Sequence, residues 1–162
     1  MFEDKNEAKE IKQSDLVSEI QNNTENNLKR RFKNISVCGT GVTMPEGVIS
    51  QIALSFNTHD LFTKEELRFF IIAAAEDLLH EVKMNNRIQS SLKNYSFQIE
   101  DVRIIVYNKN KDGHDVIDPN ISIADISQGI LTFRTMNPKM PHQIKTHFTE
   151  TYKEAKKTIG DQ

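Results

Sequence analysis

A chain of 162 residues suits one domain, since domains run to roughly 100–200 residues. A net charge of -2 and a pI near 6.2 give no bulk attraction to nucleic acid or an anionic membrane, whose binders carry basic patches. Cys38 is the single cysteine, which excludes an intrachain disulfide, and no stretch approaches the ~20 apolar residues of a membrane helix.

The opening MFEDKNEAKEIKQ has no apolar core, so it does not read as a signal peptide. On the sequence as given the protein is expected to be soluble and cytoplasmic. An exported or envelope-associated protein that had lost a signal segment would look the same. Residues 1–34 are polar and rich in Lys, Glu and Asn, with Ile11, Leu16, Ile20 and Leu28 as a thin apolar stripe. An isolated helix of this kind is marginal in water. The segment is expected to be helical or disordered, loosely attached and dispensable for folding, or to dock on a partner.

Residues 35–38 read as extended, and GTGVTMPEG then punctuates a loop. Residues 50–58 alternate, with Ile52, Leu54 and Phe56 facing one way, which predicts a half-buried strand. The strongest element follows. Thr63 with Glu66 three residues on is a capping box, and residues 69–75 are apolar all round, so the helix is expected to be covered on more than one face. Asn85 and Asn86 end the pattern, and Asn94-Tyr95-Ser96-Phe97 leads to a strand carrying Val102, Ile104 and Val106. Asp112-Gly113 marks a hairpin turn, and two further strands centre on Ile121 and Ile123, and on Leu131 and Phe133. Residues 142–159 place Ile144, Phe148, Tyr152, Ala155 and Ile159 at spacings of three and four, the pattern of an amphipathic helix, with Gly160 as its stop. The order strand-strand-helix-strand-strand-strand-helix predicts one α+β domain over residues 35–160, an antiparallel sheet with helices packed on one face.

Few residues point to chemistry. Cys38 is the candidate thiol nucleophile, with His59 as base and Asp60 to orient the imidazole. A lone strand cysteine is more often a small buried hydrophobe, here beside Ile35 or Val37. Asn108, Asn110, Asp112 and Asp115, with Gly113 at the sixth position, resemble the front half of a calcium loop. The twelfth position is Pro119, where that loop needs a bidentate Glu, so a solvated turn is the better account. The five histidines have no strong metal spacing, and Asp77, Glu81, Glu100 and Asp101 read as a solvated acidic face. No phosphate-binding or dinucleotide motif is present, so no cofactor is expected.

Two resemblances stand beside this reading. The α-β-β-β-α order from the central helix onward, ending in Lys153-Glu154-Ala155-Lys156-Lys157, resembles the double-stranded-RNA-binding domain, which implies a phosphate clamp on the last helix. Phe62-Thr-Lys-Glu-Glu-Leu-Arg, Asn94-Tyr95-Ser96-Phe97 with Val102, and Lys111-Asp112-Gly113 are similar to small uncharacterised bacterial α+β domains, some of them exported lipoproteins. That likeness implies an envelope-associated protein and carries over no functional residue. The function expected from the residues is a non-catalytic binding or interaction module with a protein partner. A thiol-dependent enzyme using Cys38 with His59 is the first alternative, and RNA binding through the basic C-terminal helix is the second.

Overall fold

The computed structural model describes residues 2–93 and 96–160; Asn94 and Tyr95, on the expected approach to a strand, lie outside them. Helix α1 (Phe2–Arg31) leads into the hairpin β1 (Ile35–Thr43) and β2 (Gln51–Thr58). Helix α2 (Lys64–Met84) follows, then β3 (Val102–Tyr107), β4 (Ile123–Ser127), β5 (Ile130–Asn137), β6 (Met140–Thr151) and the short helix α3 (Tyr152–Ile159). The six strands form one sheet in chain order.

The α+β class is as expected, but the sheet is mixed. β2 and β3 run parallel, Ile52 against Val102 and Phe56 against Val106, while the other neighbours are antiparallel. The reason is α2. A 21-residue helix between two adjacent strands returns the chain to the end where β2 began, so β3 must run the same way.

α2 forms as its sequence dictates. Thr63 Oγ1 accepts from the Glu66 N–H at 3.1 Å, and Glu66 Oε1 accepts from the Thr63 N–H at 3.0 Å. Phe70, Ile71, Ile72, Ala73, Ala74 and Ala75 are buried, because the sheet lies beneath α2, α1 on one flank and α3 on the other. The alternation of β2 holds: Ile52, Leu54, Phe56 and Thr58 are buried under the helices, and Gln51, Ala53, Ser55 and Asn57 are half-buried on the open face. Among the described residues, no helix is long and apolar enough to cross a membrane.

Two elements differ from expectation. Residues 142–151 are the greater part of β6 and not a helix; only residues 152–159 are helical. A spacing of four fits both periods, since it is one helical turn and also two strand repeats. Ile144, Phe148 and Tyr152 therefore could not separate them, and Thr146, Thr149 and Thr151 with Ile144 favour the strand. The second difference is α1. Leu16, Val17, Ile20 and Leu28 belong to the same hydrophobic core as α2 and the sheet, so the core crosses the boundary expected at residue 34.

Polar residues fill the gaps of that stripe. Gln13 donates to Ser91 Oγ at 2.8 Å, Gln21 to the carbonyls of Gly41 and Ala53 at 3.0 and 3.1 Å, and Thr24 to the Ile20 carbonyl at 2.8 Å. Asn27 adds a bond to Glu81 at 3.1 Å. An apparently weak amphipathic helix is thus bonded along its buried face. Ile20→Ala is expected to cost about 2–5 kcal/mol, as for a buried aliphatic truncation. Deleting residues 1–32 is expected to abolish the cooperative transition in chemical denaturation; an unchanged midpoint for both would show that α1 is an appendage.

Candidate functional site

The last turns of α1 and α3 and the first turns of α2 surround a groove of about 510 Å³. Its floor is apolar: Phe32, Phe62, Phe69 and Ile159. Each aromatic is positioned by a local cause. The Phe32 N–H still bonds the Leu28 carbonyl at 2.8 Å, and Asn34 then takes a left-handed φ of 64° that turns the chain into β1. The Phe32 ring meets Phe70 edge-on at 5.0 Å and Phe69 at 5.9 Å. Phe62 is clamped by Asn108, whose Oδ1 accepts from the Phe62 N–H at 3.0 Å and whose Nδ2 donates to the Phe62 carbonyl at 2.9 Å. Phe69 follows from helical geometry: it is the one member of the 69–75 run on the outer face of α2, and 44% of it is exposed.

The rim is charged, and most of it is already paired. Arg31 lies 5.5 Å over the Phe32 ring and reaches Asp77 at 3.4 Å. Arg68 bonds Glu150 at 2.6 and 3.3 Å, and Glu66 serves the cap of α2. Partial burial pushes the Asp77 carboxyl above the usual carboxylate range; Arg31 pulls it down, Glu81 pushes it up, and His80 and Glu76 follow with smaller opposed effects. Lys33 and Glu65 are exposed and form no ion pair among the described residues. Neither Cys nor His lines the groove. The groove is an apolar floor between a cation and an anion, Lys33 and Glu65, that are not engaged in ion pairs among the described residues.

The residues named from sequence lie elsewhere. Cys38 is exposed and not packed inward beside Ile35 or Val37. The ladder between β1 and β2 skips from Val37 opposite Phe56 to Gly39 opposite Ser55, and this bulge leaves Cys38 without a cross-strand partner. Partial desolvation pushes the thiol pKa up, outweighing its own backbone N–H and the charge of Lys109. His59 Nε2 is 2.9 Å from Ser36 Oγ, and the Asp60 carboxylate accepts from the adjacent Leu61 N–H at 2.9 Å. Those partners tie both residues to local structure rather than to the sulfur.

The calcium-like residues also have structural partners. Asn108 is buried, and besides clamping Phe62 it donates to the Ile121 carbonyl at 2.8 Å and accepts from Thr58 Oγ1 at 3.2 Å. Asn110 Oδ1 accepts from the N–H groups of Asp112 and His114, which closes the turn, and Asp115 pairs with Lys109. The acidic residues are spread along the fold: Asp77 and Glu81 face α1, and Asp101 caps the turn at Gln98. On α3, Lys156 pairs with Glu76 at 3.0 Å and Ala155 is buried. The order from α2 onward is α-β-β-β-β-α, one strand more than the RNA-binding resemblance implies.

Comparison of the chain with protein-family models, with curated proteins and with solved structures finds no match. The groove's signal in the sequence was Phe69 itself, but it stood inside an apolar run that read as core throughout.

The raised thiol pKa sets the labelling behaviour of Cys38. A thiol that holds its proton to higher pH contributes less thiolate at neutrality, and the thiolate is the reacting species. Iodoacetamide is expected to label the native protein more slowly than the unfolded chain at pH 7, with the two rates converging as pH rises through the native pKa. His59→Ala is expected to leave that profile unmoved. Fast native labelling at pH 6 that is lost in His59→Ala would contradict this.

Proposed function

We propose that the protein is a non-catalytic binding module, and that the groove at the α1–α2–α3 end receives a short segment of a partner protein. The observation that carries this reading is Phe69, a half-exposed aromatic on a helix whose next six residues are buried. Its ring lines the groove beside Phe32 and Phe62, which Phe70 and Asn108 in turn hold in place. Large aromatics in such settings are common anchors of protein interfaces.

The rim indicates the occupant. Lys33 on the α1 side and Glu65 on the α2 side suit a segment with an apolar residue between an acid and a base. This is the complementarity that fixes register and rejects wrong partners. The local partners of His59 and Asp60, and the upward shift of the Cys38 thiol, favour this reading over a thiol enzyme.

Selection from a random peptide library on the immobilised full chain, followed by fluorescence polarisation on synthesised hits, tests the proposal. The hits are expected to share an aromatic or aliphatic residue flanked by an acid and a base. Phe69→Ala is expected to weaken them by about tenfold or more, about 1.4 kcal/mol, with little change in unfolding midpoint. Lys33→Glu is expected to weaken the acid-bearing hits. Peptides that bind Phe69→Ala as well as the unsubstituted chain would overturn the groove as the site.

A further inference from the structure

A six-stranded sheet in chain order has two open edges, β1 and β6. Unpaired edges template further strands, and proteins usually blunt them. β1 is blunted. The bulge between Val37 and Gly39 breaks the regularity of its ladder, so the strand does not present an even row of free groups. The first half of β6 is blunted as well: Pro141 has no N–H to offer, and the register slips between Thr135 and Met136.

Residues 146–151 carry no such device. They pair in unbroken register with residues 130–135, Thr151 opposite Ile130 through Thr146 opposite Thr135. The Thr146 N–H is turned inward, onto Thr135 Oγ1 at 3.2 Å. Strand alternation then turns the N–H and C=O groups of His147 and Thr149 outward, along the free edge. Between them stands Phe148, opposite the buried Phe133 and itself 48% exposed.

We propose that this half of β6 pairs antiparallel with the same segment of a second copy of the chain, about a two-fold axis at Phe148. The segment is self-complementary in that register. Phe148 meets the second Phe148, His147 meets Thr149, and Thr146 meets Glu150, whose charge is already balanced by Arg68 at 2.6 Å. No like charges stand opposite one another, and an aromatic pair at the centre is a stabilising cross-strand contact. A register centred on Thr146 would bring Lys145 against His147 and draw the slipped part of the strand into the ladder. The two-fold arrangement is closed, so it removes the open edge from both copies without starting a fibre. The contact is short against the roughly 1,600 Å² of a standard interface, so the dimer is concentration-dependent rather than obligate. It does not depend on what the groove binds.

Sedimentation equilibrium of the full chain from about 10 μM to about 1 mM tests this. The mass is expected to climb from 18.6 kDa toward twice that value. Thr149→Pro removes an outward N–H while sparing the ladder to β5, and Phe148→Glu sets two like charges on the axis. Each is expected to raise the concentration of half-dimerisation by about tenfold or more. Phe148→Glu also serves should Thr149→Pro not fold, and hydrogen exchange on the unsubstituted chain needs no variant: the His147 and Thr149 amides are expected to gain protection as concentration rises. A monomeric mass throughout overturns the proposal and leaves the edge to a strand of another protein. A dimer indifferent to Phe148→Glu, without concentration-dependent protection of those amides, overturns it equally.

Discussion

The structure depends on what surrounds one ring, that of Phe70. It is fully buried, and three other phenylalanines meet it edge-on: Phe56 of β2 and Phe32 after α1 at 5.0 Å, and Phe62 before α2 at 6.5 Å. Such pairs add about 0.5–1.5 kcal/mol each beyond the area they bury. The end of α1, β2, the loop before α2 and α2 itself are thereby held to one point. The end of α1 and the floor of the groove are positioned by this packing. Phe32 and Phe62 pack half-buried against the core and also line the groove, so the floor of the groove is anchored to that packing.

The parallel step from β2 to β3 is the second constraint. It places α2 across one face of the sheet, and α1 and α3 flank it through the apolar run of its first half and through polar pairs from Asp77 and Glu81 to α1 and from Glu76 to α3. All three helices lie on that face, which leaves the opposite face to half-buried side chains such as Ala53, Ser55 and Asn57. The helix ends converge at the groove, while β6 closes the sheet at one edge. The two surfaces proposed to make contacts, one concave and one a strand edge, are thus products of the same layering.

What could be read in the sequence was whatever depended on neighbours in the chain. The capping box at Thr63, the alternation through Ile52, Leu54 and Phe56, and the break at Asp112-Gly113 are local and were legible. α1 was not, because three of its seven described buried residues are polar: Thr24 bonds back to Ile20, while Gln13 and Gln21 are satisfied by Ser91 and Ala53, which only the fold brings near. β6 was hidden by a spacing of four that suits two periods. The exposure of Cys38 depends on a bulge opposite β2, and the role of Asn108 on a loop 46 residues away. Phe69 is the instructive case for the groove, since hydrophobicity alone cannot tell the covered faces of a helix from the one left open.

The Phe70 cluster ties α1, β2 and α2 into one cooperative unit. Chemical denaturation of Phe70→Ala, followed by hydrogen exchange resolved along the chain, tests it most directly. The substitution is expected to cost about 3–5 kcal/mol, a large part of the usual margin of about 5–15 kcal/mol, in a single transition. Amides of α1 and of β2 should lose protection together. A loss below about 1 kcal/mol, or α1 opening separately while β2 and α2 keep their protection, would contradict it.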